Sequence, residues 1–465
     1  MSALHDFATW EPLLRILRGD HAAALAEPGG YVAGSFDRHG YSLPLRWRTP
    51  QPGGATPPEN RAQLEAAERV RGAIAGAGIE ALALVAEIPP CGRAVLRLFD
   101  HGAAVESPLG NAHPGALLLV EGAVPEPWRR LPEAVPGAGP APSADPALLE
   151  RTLRERIPDA IGATEEEIAA AEARLGVALP AEVRALYRVT RARWEDWDGD
   201  FDAGQRVDDA VGFELFHLDR LAIADASSRS FRWGTAATEA AGTAPGAAVQ
   251  GLVGSPGWIV IGDTGGGGRV AVDLTPGPRG HHGQVIVLAP ERSVGADLLA
   301  ESLTDQVLHP DWDGYAGRDG YAGRMPGRAR AVVRLHGERP GEVEAAAHPD
   351  LEVLTLGGWR GDRVSLAPVA GLPRLRTLCA GPGALADPLE IARLTGLEFL
   401  ELPPEEWRAL LDAGAVPRGL SAAEILAHTD RDPRAVVGLA NELLALRHRP
   451  LITETVVEGE LGPLR

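Results

Sequence analysis

Carboxylates alternate with aromatic rings in one stretch near the middle of the chain, which runs from Trp194 to Asp202 and reads WEDWDGDFD. Aromatic side chains anchor protein interfaces and carboxylates meet arginines across them, so this composition fits a patch that binds a basic protein. A loop whose rings pack inward while its charges stay solvated has the same composition, and the sequence leaves both interpretations open. The predicted partner-binding residues are Trp194, Trp197, Asp198, Asp200, Phe201, Asp202 and, from a later segment, Asp263.

Two patterns resemble metal sites but lack necessary parts. Four aspartates have the spacing of a calcium loop: Asp198, Asp200, Asp202 and Asp209. Ala203 stands where that loop needs Gly, and its twelfth position is Asp instead of Glu. His281 and His282 are adjacent, so on an extended segment their side chains point opposite ways and do not chelate one ion. We expect no metal and no cofactor.

Patterns for catalysis are equally incomplete. The run Gly265 to Gly268 is followed by Arg269 and a predicted strand, whereas a phosphate-binding loop needs Lys, Ser or Thr and a helix N-terminus. The chain has no Gly-x-Ser-x-Gly elbow and no His-Glu-x-x-His helix. An enzyme that uses Cys91, or the carboxylates around Asp263 and Asp273, stays open as the least favoured alternative, because triads are recognised by geometry.

Composition restricts the partners. The chain has 465 residues and a formal net charge of −19, and all of its 45 cationic side chains are arginines. An acidic surface repels phosphate backbones and anionic lipid, so we expect neither nucleic acid nor membrane as a partner. Arginine usage with abundant Ala, Gly and Pro is typical of a GC-rich bacterial genome. Two isolated cysteines and no apolar run of membrane-spanning length predict a cytoplasmic protein.

Two helices and three strands can position the acidic and aromatic stretch. Thr164 and Glu167 form a capping box that opens the first helix, and Gly176 suits its end. A second helix follows Pro180. Three apolar runs separated by Gly-rich and Pro-rich loops predict an antiparallel meander: Trp258 to Ile261, Arg269 to Leu274 and Gln284 to Leu288. Helices on one face of such a sheet give the α+β class.

These segments together resemble the SUKH superfamily, which includes the SMI/KNR cell-wall assembly regulators. The resemblance rests on EEEIAAAEARLGVALPAEVRALYRVT (165 to 190), WIVIGDTGGGGRVAVDL (258 to 274) and GQVIVL (283 to 288). It implies an α+β binding domain without known catalytic residues, used in bacteria largely as immunity proteins against secreted toxins and in fungi as a signalling and cell-wall scaffold. Family members commonly close the second helix with an Asn–Gly turn, whereas Arg191, Ala192 and Arg193 stand here.

Residues 1–131 are predicted to form a small α+β domain of unknown function. Its expected elements are an opening helix at Trp10 to Leu17, a helix at Leu64 to Ala77, strands at Ile79 to Ile88 and Ala94 to Phe99 joined by a hairpin loop at Pro89 to Gly92, and a third apolar run at Leu117 to Val120. In the helix we expect a buried face of Leu64, Ala67, Val70, Arg71 and Ile74. A Pro-, Ala- and Gly-rich linker is predicted at 132–147, before the SUKH-like domain at 148–311.

The carboxyl-terminal part repeats itself. After a second linker at 312–327, where DGYAGR occurs twice, the positions of an L-x-x-L-x-L motif recur at offsets of 24 and 22 residues: Leu351, Leu354 and Leu356, then Leu375, Leu378 and Ala380, then Leu397, Leu400 and Leu402. This spacing predicts a short leucine-rich-repeat stack of parallel strands at 328–414. Residues 415–465 are predicted to be a helical cap and tail, with helices beginning at Ser421 and Pro433.

These observations favour an interaction protein that performs no catalysis. As an immunity protein it would cover the basic groove of a toxin such as a nuclease. The alternative is a cytosolic regulatory scaffold linked to cell-wall assembly.

Overall fold

The structure is a computed structural model that describes residues 3–37, 40–49, 57–106, 117–197, 200–310, 328–337, 341–427 and 433–462. Its contacts divide the chain into two units. The first comprises Met1–Ala123, Arg334–Pro349 and Leu354–Arg465, and the second comprises Val124–Val333 and Asp350–Val353. The predicted amino-terminal and carboxyl-terminal domains therefore fall largely within one unit. The tandem DGYAGR at 313–324 and Asp198 lie outside the described residues.

The described helices are α1 (Phe7–Asp20), α2 (Ala22–Ala26), α3 (Pro58–Gly76), α4 (Glu126–Arg129), α5 (Pro146–Arg156), α6 (Glu165–Leu175), α7 (Ala181–Val189), α8 (Phe201–Val211), α9 (Trp233–Ala236), α10 (Leu303–Leu308), α11 (Arg328–Ala331), α12 (Glu342–Ala346), α13 (Pro404–Asp412) and α14 (Pro433–Leu446). The described strands are β1 (Val32–Asp37), β2 (Tyr41–Ser42), β3 (Ala81–Glu87), β4 (Arg93–Asp100), β5 (Val105–Glu106), β6 (Leu117–Leu119), β7 (Glu214–Leu215), β8 (Ala222–Ile223), β9 (Trp258–Asp263), β10 (Arg269–Asp273), β11 (Gln284–Leu288), β12 (Asp297–Ala300), β13 (Val332–Leu335), β14 (Val353–Leu356), β15 (Thr377–Ala380), β16 (Phe399–Leu402), β17 (Ala422–Ile425) and β18 (Thr453–Glu460). This mixture of helices and sheets is consistent with the predicted α+β class.

The first unit contains an antiparallel sheet in the order β18-β4-β3-β1-β2. β3 and β4 pair across a turn in which the Gly92 N–H donates to the Pro89 carbonyl at 2.9 Å, which confirms the predicted hairpin. β18 reaches this sheet from the far end of the chain and pairs with β4 along its whole length. α1, α3 and the strands share one core, which includes Trp10, Leu14, Leu17, Val70, Ile74, Leu84 and Leu96.

The buried face of α3 differs from the prediction at its first turns. Leu64 is exposed, whereas Asn60 and Gln63 are buried. Two hydrogen bonds explain this inversion, because the side chains of Asn60 and Gln63 donate to the backbone carbonyls of Arg48 and Arg46. A buried polar side chain that keeps a hydrogen-bond partner loses little free energy on leaving water. The chain segment before α3 therefore determines which face of the helix turns inward.

Strands at the repeat positions form part of a second sheet, in the order β13-β14-β15-β16-β17-β6-β5. β15, β16 and β17 pair in parallel, which places Leu378 beside Leu400 and Leu400 beside Ala423. Leu354, Leu378 and Leu400 are fully buried. β6, from the amino-terminal part of the chain, pairs antiparallel with β17 and extends the sheet beyond the last parallel strand.

The helix predicted at Ser421 is wrong. Ser421 and Glu424 have the spacing of a capping box, but the segment forms β17, whose Ala422 and Ile425 are buried. β17 pairs with β16 on one side and with β6 on the other. Pairing with two strands provides hydrogen-bond partners for the backbone N–H and C=O groups on both sides of the segment. This stabilises the strand more than one capped helical turn would stabilise a helix. The helix predicted at Pro433 is confirmed as α14.

The second unit is built on an antiparallel sheet in the order β12-β11-β10-β9-β7, with β8 also paired to β9. β9, β10 and β11 are the three predicted strands. The capping box of α6 is confirmed, since the Glu167 N–H donates to the Thr164 hydroxyl at 3.2 Å and the Thr164 N–H donates to the Glu167 carboxylate at 2.8 Å. Tyr187 of α7 is buried and donates its hydroxyl to the Phe216 carbonyl at 2.6 Å.

The segment predicted as a linker at 132–147 is hydrogen-bonded to the second unit. Gln250 and Glu133 exchange a pair of hydrogen bonds of 2.8 and 2.9 Å. Further along, the His282 N–H donates to the Gly139 carbonyl at 2.9 Å, and Ala141 is buried. A proline-rich segment is extended, and its carbonyls are free to accept such hydrogen bonds. Composition alone does not distinguish a segment bonded in this way from a free linker.

Candidate functional site

Three aromatic side chains meet at the start of α8, and we name them the aromatic cluster: Trp194, Trp197 and Phe201. The Trp194 ring packs edge to face on both others, with centroid distances of 5.9 Å to Trp197 and 4.7 Å to Phe201. Trp197 lies against α8 at Gly204, where an added Cβ would stand 2.7 Å from the ring. Trp194 is 45% exposed and Phe201 is 75% exposed. The structure thus brings three of the predicted residues together and leaves two of their rings in solvent.

Ion pairs hold the segment that leads into the aromatic cluster. Arg191 donates two hydrogen bonds to Asp196, of 2.6 and 2.7 Å, and the side chain of Asp196 is only 8% exposed. These bonds raise the pKa of Arg191 and lower the pKa of Asp196, because each favours the charged form of its partner. Arg193 adds contacts to Glu167 and Asp219. These contacts hold the described residues Arg191 to Trp197 to neighbouring parts of the domain.

Ala192 forms the turn that leads into this loop. Its φ of +51° lies in the left-handed region, which side chains other than glycine adopt at a cost of about 1–2 kcal/mol. Its N–H donates to the Thr190 hydroxyl at 3.2 Å. The chain therefore keeps a left-handed turn after the second helix even without the Asn–Gly pair that the resemblance leads one to expect.

The predicted carboxylates have different roles. Asp200 caps α8, since its carboxylate accepts the Asp202 N–H at 2.9 Å, and it lies 3.5 Å from the Arg206 guanidinium. Asp202 is exposed beside Phe201. Asp209 lies on the same helix as Asp202 and about 10 Å further along its axis, so the two do not share a calcium loop.

Asp263 holds a turn. Its carboxylate accepts the Gly265 N–H at 2.7 Å and the Gly267 N–H at 3.2 Å. The Thr264 hydroxyl accepts the N–H groups of Gly266 and Gly268. The four glycine N–H groups are therefore already bonded within the turn, which removes them as donors to a phosphate.

An acidic groove of about 560 Å³ separates α8 from this turn. Its lining includes Gln205, Asp208, Asp209, Glu214, Thr264 and Gly265. Burial raises the pKa of Asp208 to about 6, and the neighbouring Glu214 and Asp209 add to the rise. Neither α8 nor this groove was predicted from the sequence. Asp200 as N-cap, Gly212 as C-cap and the helical spacing of Val207 and Ala210 were the signals that could have found the helix.

The residues of the enzymatic alternative have different local surroundings. Asp273 is fully buried, and its carboxylate accepts bonds from the Thr275 N–H at 2.7 Å and from Gln284 Nε2 at 2.9 Å. Burial raises its pKa to about 6. Cys91 is exposed in the turn between β3 and β4, in the other unit. Asp273 thus secures the end of β10 from a buried position.

Within the described ranges, no three His, Cys, Asp or Glu side chains are grouped in a way that would hold a metal ion. The helices of those ranges are all too short or too polar to cross a bilayer.

Comparison with known proteins finds a family similarity inside the second unit. Residues 162–308 match the model of the SMI1 / KNR4 family (SUKH-1), a regulatory and interaction family that is not known for enzymatic activity. A protein of Neurospora crassa named "Glucan synthesis regulatory protein" is 40% identical over 63 residues, which make up 14% of this chain and 12% of that protein. The aligned part is thus a small piece of that relative. The capped helix α6, the α7 helix and the β9–β11 meander lie inside the matched range, so residues 162–308 are similar to the SMI1/KNR4 (SUKH-1) family.

Proposed function

We propose that the SUKH domain is a protein-binding module that performs no catalysis and docks its partner on the aromatic cluster. The observation that carries this proposal is the exposure of Trp194, which closely follows the Arg191–Asp196 pair, and of Phe201, the first residue of α8. Large rings of this kind supply most of the binding energy when a partner buries them. A loop with only a structural role would turn these rings inward.

The partner's face is basic in this proposal. Asp200 and Asp202 stand beside the rings, and Asp208, Asp209 and Glu214 line the acidic groove on the same helix and its neighbour. The chain's formal charge of −19 adds long-range attraction for a cationic protein. We include Asp198 and Asp263 in this surface as predicted from the sequence, Asp263 through the turn it holds beside the groove.

Alanine substitution in the aromatic cluster tests the proposal. Phe201→Ala should weaken capture of the native partner by about 30-fold, equivalent to the ~2 kcal/mol of one interface anchor. Leu131→Ala is the matched control, because Leu131 is also 75% exposed and lies in the same unit but outside the matched domain. Equal capture by both variants would contradict the proposal.

The charge component has a separate test. Asp202→Asn together with Asp209→Asn should slow association and flatten its dependence on salt, with a smaller effect on dissociation. Both side chains are exposed, so the double variant should fold normally. An unchanged association rate would remove α8 from the encounter surface.

Two biological roles fit such a module. As an immunity protein, the chain would cover the basic groove of a secreted toxin. As a regulator of cell-wall assembly, it would hold components of that machinery together, and the name of the Neurospora relative favours this second role. The captured partner separates them, since one role requires a toxin and the other a component of cell-wall synthesis.

The parallel strands of the first unit support a second proposal, that this region is a short leucine-rich-repeat stack. Leu354, Leu378 and Leu400 are buried at equivalent positions of β14, β15 and β16. Leucine-rich repeats are mostly protein-binding surfaces, so the stack would extend the interaction function. We place the chain in the cytoplasm, because Cys91 and Cys379 are both free thiols.

A further inference from the structure

A cleft of about 600 Å³ opens inside the first unit, between the carboxyl-terminal end of α3 and one end of the sheet that contains β3, β4 and β18. One wall is formed by α3, which presents Gly72, Ala73, Gly76 and Ala77 along one flank, and by the short 3₁₀ turn Ala3–His5. The turn is anchored to the core, since Trp10 Nε1 donates to the Leu4 carbonyl at 2.8 Å. The three strands form the floor.

The register of the strands determines the chemistry of this floor. Leu82, Asp100 and Thr453 lie side by side in one cross-strand row. Leu98 and Thr455 are paired two residues further along, so their side chains are on the same face of the sheet. All five residues line the cleft, and the two leucines are almost fully buried. The floor is therefore apolar, with one carboxylate and two hydroxyl groups along its edge.

Asp100 brings a negative charge into the cleft without a compensating cation. In the described ranges its carboxylate has neither an ion pair nor a hydrogen bond. Partial burial raises the pKa of Asp100, because the charged form loses hydration. A cationic group that entered the cleft would offset this loss.

The end of α3 adds to the negative potential. The helix ends at Gly76, and Gly76 and Ala77 both line the cleft. The last carbonyl groups of a helix carry a partial negative charge, which favours a cation nearby. The helix end and Asp100 thus favour the same sign of charge in a ligand.

Two glycines give the cleft its width. A Cβ added at Gly72 or at Gly76 would meet no atom within 4 Å, so packing within the chain does not require glycine at either position. Glycine is nevertheless less favourable than alanine inside a helix. A ligand that lies against this flank of α3 would account for both residues.

We propose that this cleft binds an aliphatic primary amine, whose ammonium group pairs with Asp100 while its hydrocarbon chain covers Leu82 and Leu98. An ammonium group is a compact charge with three donors, and the Asp100 carboxylate and the hydroxyl groups of Thr453 and Thr455 are acceptors for them. The apolar floor selects a hydrocarbon chain over a small inorganic cation. This site is additional to the docking surface on the aromatic cluster and does not depend on the proposed function.

Titration of the full chain with n-hexylamine tests the proposal. With ¹³C-labelled leucine methyl groups and constant ionic strength, the signals of Leu82 and Leu98 should shift and saturate. The uncharged analogue n-hexanol should bind about tenfold more weakly, because it cannot pair with the carboxylate. Asp100→Asn should weaken hexylamine binding by about the same factor. Asp412→Asn is the matched control, because it removes the same charge from an exposed position on α13 of the same unit, and it should bind like the wild type.

A second variant blocks the cleft without removing the charge. Gly76→Leu should place a side chain in the cleft and weaken hexylamine binding about tenfold or more. Leucine is a better helix former than glycine and finds open space at this position, so the variant should fold even if Asp100→Asn does not.

Four results would overturn the proposal. Shifts that do not saturate would mean general attraction of cations to an acidic chain. Equal binding of n-hexylamine and n-hexanol would exclude a role for the Asp100 carboxylate. Wild-type hexylamine binding by both Asp100→Asn and Gly76→Leu would place the amine elsewhere. Tighter binding of Nα-acetyl-lysine amide than of n-hexylamine would make the lysine side chain of a partner protein the occupant instead of a free amine.

Discussion

Substitution of Gly204 by alanine separates two opposing effects in α8. Alanine inside a helix is about 1 kcal/mol more favourable than glycine, so helix propensity alone predicts a more stable protein. The structure predicts the reverse, because the new Cβ would stand 2.7 and 2.9 Å from two carbons of the Trp197 ring. Forcing such an overlap typically costs about 1–3 kcal/mol. The expected net effect ranges from none to a loss of about 2 kcal/mol, together with displacement of Trp197.

Gly72 provides the matched comparison. It also lies inside a helix, α3, and a Cβ added there would meet no atom within 4 Å. Gly72→Ala should therefore raise the free energy of unfolding by about 1 kcal/mol, a shift of roughly 0.3–1 M in the urea midpoint. Urea unfolding with near-ultraviolet circular dichroism would report stability and tryptophan packing together. Equal stabilisation by both substitutions, with an unchanged aromatic spectrum, would refute the packing of Trp197 on Gly204.

Three further predictions follow from single positions. Ala192→Gly should raise the free energy of unfolding, measured in urea, by about 0.5–1 kcal/mol, because relief of the left-handed strain exceeds the entropy that glycine adds to the unfolded chain. A loss of stability would contradict the strained turn. Asp273 has a pKa of about 6 when folded, above its ordinary value of 3.8, so its contribution to stability is present below pH 4 and is lost as the pH rises to 6. Ionisation of Asp273 should therefore lower the unfolding free energy of the second unit by up to about 3 kcal/mol as the pH rises, and Asp273→Asn should abolish that decrease. An unchanged pH profile would show that Asp273 does not titrate in this range. Leu378→Ala should cost about 2–5 kcal/mol and abolish hydrogen-exchange protection across β14 to β17 together, whereas loss confined to β15 would contradict a cooperative stack.

Local signals in the sequence predicted the elements whose stability is local. The capping box at Thr164, the loop at Pro89 to Gly92 and the β9–β11 runs each depend on residues within a few positions of one another. The leucines of the recurring L-x-x-L-x-L motif lie in strands for the same reason, since each motif is a local pattern, while the leucine-rich-repeat stack stays a prediction. Hydrogen bonds and burial in the structure follow those patterns closely.

Pairings between distant segments could not be read in this way. β18 joins β4 and β6 joins β17, and in each case the partners are hundreds of residues apart. The wrong helix at Ser421 is a consequence. Its capping-box spacing is compatible with a helix, but β16 and β6 pair with this segment on its two sides and make it a strand. Leu64 shows the same effect in a helix, where Asn60 and Gln63 are buried through bonds to an earlier segment.

The composition of the candidate surface was predicted, but its geometry was not. Alternating rings and carboxylates suggested a docking patch and equally an inward-packed loop. Only the structure distinguishes Trp197, which lies on Gly204, from Phe201, which stands in solvent.

A photo-crosslinking amino acid placed at Phe201 in the native cell would test the docking surface most directly. A benzophenone side chain at this exposed position would reach any protein seated on the aromatic cluster. We predict a discrete protein adduct from position 201 that is absent when the same group replaces Leu131. Identical adduct patterns at both positions, or no protein adduct from position 201, would contradict a protein partner on this surface.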